Sequence, residues 1–264
     1  METIELLVEK TMVPLELSVA KEMVARYNST RKTLIDEAYG INDTRSIWFS
    51  IDGFKDFFNN LPENASGVRI HLVAYGQNAR YPNQTTVIWT PTVEQGYQHV
   101  DVLREGGESF ATDKTMIAWN AGKDCPPVCT IMKSFDPSAD KTMVPIELSI
   151  AKEIVALYND TRKTLIDETY NINDTRSIWF SIDGFKDFVN NLPENASGVR
   201  IHLAVHDQEN KHTPNQTTVI FAATIENGHQ DVDVVGQGQE LINTHLFMTA
   251  FGGGKDCPPL CHWD

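Results

Sequence analysis

Between residues 14 and 39, apolar side chains recur at steps of three, four and seven: Leu15, Val19, Met23, Tyr27, Leu34 and Ala38. That spacing draws one stripe along a helix, and Pro14 suits its first turn. INDTRS (41–46) breaks the periodicity, and SIWFSI (46–51) then alternates and is rich in β-formers, which predicts a strand. Asp52 ahead of GFKDFFNNL reads as the N-cap of a short helix. GVRIHLVA (67–74) and QTTVIWTPT (84–92) read as a second and third strand, while QHVDVL (98–103) and DKTMIAW (113–119) are weaker strand candidates.

The whole pattern then returns. TMVPLELSVAKEMVARYNSTRKTLIDEAYGINDTRSIWFSIDGFKDFFNNLPENASGVRI (11–70) reappears as residues 142–201 with eight positions changed. A period of about 131 residues is too long for a solenoid unit, so each copy is expected to be a domain: 11–129 and 142–264, joined by a linker at 130–141. VAYGQNARYPNQ (73–84) faces AVHDQENKHTPNQ (204–216) with one residue inserted, and such drift marks a loop. Strand, short helix, strand predicts a right-handed crossover with two parallel strands. The expected fold is therefore α+β: two tandem homologous units, each a mixed sheet with a long N-terminal helix and a short crossover helix, packed as a pseudo-dimer.

Alternation along the strands places Ile47, Phe49, Ile51, Ile70 and Leu72 on a core face. Trp48, Ser50, Arg69 and His71 share the other face, repeated as Trp179, Ser181, Arg200 and His202. That face could be the contact between copies or a ligand site. For an enzyme the candidate constellation is Asp52, Arg69 and His71, with Asp183, Arg200 and His202 as its copy. His would serve as general base and Arg as an anion clamp. An Asp at that position is equally what a helix cap needs. No P-loop, G-x-S-x-G or H-E-x-x-H occurs. Asn42, Asp43, Thr44 and Arg45 lack the spacing of a calcium loop, and His206, His212 and His229 lack a ligand spacing.

A net charge of −14 and no basic patch argue against nucleic acid, and no apolar run approaches the length that spans a bilayer. The start METIELLVEK has acids where a signal peptide has basic residues, which points to the cytoplasm unless a signal was removed. Each unit closes on a C-x3-C motif, Cys125 with Cys129 and Cys257 with Cys261. Two prolines in polyproline II at roughly 3.1 Å per residue would hold each pair about 12 Å apart. A disulfide needs Cα atoms within about 7 Å, so pairing inside a motif demands a bend. Disulfides within or between motifs, free thiols and a four-thiolate zinc site all stay open.

SIWFSIDGFKDF, GVRIHL and the closing CPPxC together resemble a class of uncharacterised bacterial proteins with a G-[VI]-R-I strand and a Cys-Pro-Pro-x-Cys tail. The resemblance implies a bacterial origin and no activity, and the tandem form departs from its single-unit pattern. The sequence names no cofactor. The leading expectation is a non-catalytic protein that binds a protein partner or small ligand around the sheet and its drifted loops. The alternatives are an enzyme with a strand-end Asp/Arg/His site and a metal-binding protein using the CPPxC motifs.

Overall fold

The computed structural model describes residues 11–79, 81–102, 118–120, 123–125, 142–228, 230–234, 250–252 and 255–257. Its first helix, α1, runs as α-helix through Leu17–Tyr27, widens to a π turn over Asn28–Lys32 and resumes through Thr33–Tyr39. The π turn absorbs one extra residue, which moves the buried stripe by one position. Ala20, Met23 and Tyr27 are buried as one face, but the next core residue is Ile35 and not Leu34, Ala38 is exposed, and Val19 is 40% exposed. Pro14 lies in a short strand, β1 (Val13–Leu15), ahead of the helix. α1 ends on Gly40 in the left-handed region at φ 63°, where its backbone N–H closes onto the Asp36 carbonyl.

Strand β2 (Ser46–Ser50) leads directly into α2 (Ile51–Asn59). The N-cap is Ser50, whose side chain accepts from the Gly53 N–H, so Asp52 sits inside the first turn as a charge favourable to the helix dipole. β3 (Ala65–Ala74), β4 (Thr85–Gln95), β5 (Gln98–Asp101), β6 (Ala118–Asn120) and β7 (Lys123–Cys125) complete the first half. The second half repeats the order. β8 (Val144–Ile146) precedes α3, which comprises Leu148–Tyr158, a π turn Asn159–Lys163 and Thr164–Tyr170. β9 (Ser177–Ser181), α4 (Ile182–Asn190), β10 (Ala196–Val205), β11 (Thr217–Asn227), β12 (Gln230–Asp233), β13 (Ala250–Gly252) and β14 (Lys255–Cys257) follow.

Two seven-stranded sheets result, with orders β1-β13-β11-β10-β2-β7 and β14-β9-β3-β4-β6-β8; β12 joins the first through β11, and β5 the second through β4. Every pairing among the described residues is antiparallel, and β2 and β3 lie in different sheets, so the expected mixed sheet with parallel β2 and β3 is not formed. β2 of the first repeat instead pairs with β10 of the second, Trp48 opposite Arg200, and β9 of the second pairs with β3 of the first, Trp179 opposite Arg69. α2 carries the chain from one sheet to the other, and α4 does the same in return. Each sheet is thus built from both repeats.

The sheets face each other across one core. Ile47 and Phe49 of the first sheet and Ile70, Leu72 and Phe180 of the second are fully or almost fully buried there. Phe49 meets Trp89 edge-on with centroids 5.5 Å apart, and Phe180 meets Phe221 at 5.1 Å. Phe54 of α2 and Phe185 of α4 touch in the same core at 5.5 Å. Ile51 is only half-buried, because it opens α2 and no longer belongs to the strand. The face that packs between sheets is therefore the Ile47 face and not the Trp48 face. The long helices cover the outer faces: Ala20 and Met23 of α1 lie on Ala204 and Ile220, and Ala151, Ile154 and Val155 of α3 on Val73 and Ile88.

Gly67 and Gly198 are where the exchanged strands approach too closely for a side chain. A Cβ on Gly198 would overlap the Phe49 carbonyl oxygen and the Trp48 indole, and one on Gly67 would overlap their counterparts Phe180 and Trp179. Gly198→Ala and Gly67→Ala should each cost about 1–3 kcal/mol through overpacking, read by urea unfolding. Gly76→Ala, where a Cβ meets nothing within 4 Å, should stay within about 0.5 kcal/mol of wild type.

Candidate functional site

Arg69 and His71 lie two positions apart on β3 and point to the same outward face. The carboxylate that meets them is Asp101 of β5: Arg69 Nη1 lies 3.3 Å from Oδ1 and His71 Nε2 3.1 Å from Oδ2. Arg69 Nη2 also donates to the His99 carbonyl at 2.7 Å. Trp179, delivered by the exchanged β9, stacks on His99 with centroids 3.9 Å apart and donates its indole N–H to Thr92 Oγ1 at 2.9 Å. The His99 ring contacts Ser66 Oγ at 2.9 Å. The network is closed, with the Arg69, His71 and Asp101 side chains 5% exposed or less. Burial pushes the Arg69 guanidinium below its ordinary value, and the Asp101 charge opposes that shift.

The same network recurs on the first sheet. Arg200 Nη1 lies 2.9 Å from Asp233 Oδ1, His202 Nε2 lies 2.8 Å from Oδ2, and Trp48 donates to Thr224 Oγ1 at 2.9 Å. Here Asp231 stands where the first repeat has His99, and Arg200 Nη2 donates to its carbonyl at 2.9 Å. This copy is more open, with His202 21% and Asp233 22% exposed. Burial raises the Asp233 carboxyl, but the hydrogen bond and charge of His202 and the charge of Arg200 outweigh it, leaving Asp233 below the usual carboxylate range.

The sequence-predicted constellation is thus half assembled. Arg69 with His71, and Arg200 with His202, do converge, and each pair sits beside the Trp of the other repeat. Asp52 and Asp183 are exposed in the first turns of α2 and α4, and the acid role falls to Asp101 and Asp233. The signal for these was available in QHVDV (98–102) and QDVDV (230–234), which keep an Asp at the same register on a hairpin strand.

A second polar cluster lies where α1 and α3 meet. Arg31 is fully buried, donates through Nη1 to Asn215 Oδ1 at 3.2 Å and through Nη2 to the Asn215 carbonyl, and its guanidinium sits 4.4 Å from the Tyr170 ring centroid. Arg162 reciprocates, donating to the Asn83 carbonyl and lying 4.6 Å from the Tyr39 ring. The INDTRS loop is structural: Asp43 Oδ1 accepts from the Thr85 N–H at 2.7 Å and Oδ2 from the Thr85 hydroxyl at 2.6 Å, with Asp174 and Thr217 repeating the pair. Burial pushes both carboxyls up, while the Thr hydrogen bonds and the arginine of the other repeat pull them back. Burial also raises the phenols of Tyr27 and Tyr158, with Asp43 and Asp174 adding to the effect.

A cleft of about 580 Å³ opens between α1 and the loop that joins β10 to β11. Glu22, Arg26 and Thr30, four residues apart on one helix face, form one wall, and Asp207, Gln208 and Glu209 form the other. Arg31, Tyr170 and Asn215 make the floor. Arg26 Nη1 donates to the Val205 carbonyl at 2.9 Å, which fixes the helix wall against the end of β10. None of these lining residues was singled out by periodicity, because the cleft needs the two repeats to cross.

Among the described residues no group of three His, Cys, Asp or Glu could hold a metal ion. His206 contacts Asn210 Nδ2 at 3.3 Å, His212 is exposed, and His229 lies outside the described residues. Backbone pairing puts Cys125 opposite Ser46 on one sheet and Cys257 opposite Ser177 on the other, while Cys129 and Cys261 lie outside the described residues. No described helix is long and apolar enough to cross a membrane. Compared with protein-family models, curated proteins and solved structures, the chain gives no significant match.

The depressed Asp233 carboxyl has a consequence for pH. Its stabilisation is fully present above the unfolded carboxylate value of about 3.9 and is lost as pH falls through the lower folded value. Asp233→Asn should therefore be less stable than wild type at pH 7, with the difference shrinking as pH falls through the folded value of Asp233, as read by urea midpoints at falling pH.

Proposed function

We propose that this chain is a non-catalytic binding protein, folded as an internal pseudo-dimer of its two repeats, that holds a small polar ligand in the cleft between α1 and residues 206–216. The observation that carries the reading is the cleft itself. Its volume of about 580 Å³ lies within the range of roughly 300–1,000 Å³ usual for small-molecule sites. Its walls come from both repeats, and one of them is the loop where the repeats have drifted apart. The acidic chain favours a small molecule or protein partner over nucleic acid.

A second reading has one specific observation behind it. The Arg200, His202 and Asp233 group is about a fifth exposed, whereas its counterpart in the other sheet is sealed. An enzyme working there would use His202, held by Asp233, as a general base beside an anion-binding Arg200. The CPPxC metal reading falls mainly on residues outside the described ones.

Two experiments test the proposal. A thermal-shift screen of small polar metabolites should return compounds that raise Tm by about 5–10 °C at a hundred times their Kd. Gln208→Trp, which fills the mouth from an exposed position, should abolish the shift, and hits that survive it would move the site elsewhere. For the pseudo-dimer, a protease site placed in 130–141 and cut in the intact protein should leave two fragments that co-elute natively and part only in denaturant. Fragments that separate natively would end that part of the proposal.

A further inference from the structure

The two repeats provide an internal comparison for the cleft. Its lining residues have counterparts on the opposite side of the molecule, and six are the same in both: Glu22 with Glu153, Thr30 with Thr161, Arg31 with Arg162, Tyr170 with Tyr39, Gln208 with Gln77 and Asn215 with Asn83. The other three differ, and each difference adds a charge. Arg26 stands where the second repeat has Leu157, and Asp207 and Glu209 stand where the first has Gly76 and Asn78. Arg26 is one of only eight changes in the sixty residues of the near-identical segment.

The added charges are sorted by wall. The cation comes from the helix side, where one guanidinium nitrogen is already fixed on the Val205 carbonyl. The two anions come from the loop side, on exposed residues with no ion pair among the described residues. The shared residues supply the same floor on both sides, so the difference between the sides is an electric dipole across one cleft. Glu22 stands on the helix wall of both sides, so it is the added charges that set this cleft apart, and from them a ligand of a single sign would meet attraction at one wall and repulsion at the other. A ligand carrying both signs is attracted by both.

We infer that this cleft takes a small zwitterion, an α-amino acid or short peptide, with its carboxylate towards Arg26 and its ammonium towards Asp207 and Glu209, and that the opposite side of the molecule does not. The inference rests on the cleft-binding reading above. The charge-assisted contacts fix the ligand's direction, and Tyr170 and Thr30 bound its middle.

Titration calorimetry on the full chain with glycylglycine and L-arginine as zwitterions, succinate as an anion and putrescine as a cation tests it. At least one zwitterion should bind at one site per chain and more tightly than either single-sign probe. Arg26→Leu and the pair Asp207→Gly with Glu209→Asn should each weaken it by about tenfold or more. These variants carry residues the other repeat already uses at the same place, and their ligand-free Tm checks that they fold. Tighter binding of succinate or putrescine, lost in Gln208→Trp, would overturn the zwitterion and keep the cleft. Absence of heat with all four probes, or zwitterion binding indifferent to the three substitutions, would overturn the inference; binding also indifferent to Gln208→Trp would overturn the cleft reading with it.

Discussion

Everything in this molecule follows from one pairing: β2 of the first repeat lies antiparallel to β10 of the second, and β9 of the second to β3 of the first. The fourteen residues 51–64 between β2 and β3 are long enough for a crossover within one sheet, but α2 carries the chain across the core instead. Crossing to the other sheet makes neither repeat complete without its fellow. The aromatic core reports the same constraint, since Phe49 and Phe180 each find their edge-on partner in the opposite sheet. The polar networks do too, because Trp48 lies opposite Arg200 and donates to Thr224, and Trp179 lies opposite Arg69 and stacks on His99, all in the repeat the Trp does not belong to.

Local structure was largely legible in the sequence, and long-range structure was not. Alternation in SIWFSI and GVRIHLVA correctly separated Ile47, Phe49, Ile70 and Leu72 from Trp48, Arg69 and His71. It could not say which strands pair, since parallel crossover and exchange between sheets put identical demands on the alternation. The missed helix register has a separate cause. A π turn leaves no mark in hydrophobic periodicity except a one-residue slip, and the slip was hidden because Leu34 is as apolar as the Ile35 that replaces it. Ser50 took the cap from Asp52 for an equally local reason: the helix starts two residues earlier, and either side chain can cap. Asp101 and the helix wall of the cleft were out of reach because their meaning lies in partners that only the fold brings near, whereas the drifted loop 204–216 already marked the other wall.

The two halves make matching contacts where they hold each other and differ in the loop that lines the cleft. Arg31 and Arg162, Asp43 and Asp174, and Thr11 and Thr142 make matching bonds on both sides. Thr11 Oγ1 accepts from the Ser181 N–H at 2.6 Å, and Thr142 Oγ1 from the Ser50 N–H at 2.7 Å. The sealed Arg69, His71, Asp101 network and its more open twin show how little is needed to change access to the same chemistry. A single-repeat protein pairing with itself would have to change both sites at once. A tandem chain is free to change one.

The exchange also sets an order of events during synthesis. Ser50 pairs with Gly198, and β1 near the start pairs with β13 at residues 250–252, so the first sheet has no complete neighbour until almost the whole chain exists. At roughly 5–20 residues per second, β2 leaves the ribosome about seven to thirty seconds before β10 arrives. For that interval its apolar face and the edge meant for β10 stand open to other nascent chains, while β7, at residues 123–125, arrives sooner for the other edge. The fold that most firmly ties the repeats together is thus also the one most exposed to being tied to the wrong partner, and its yield in a cell depends on how well that interval is guarded.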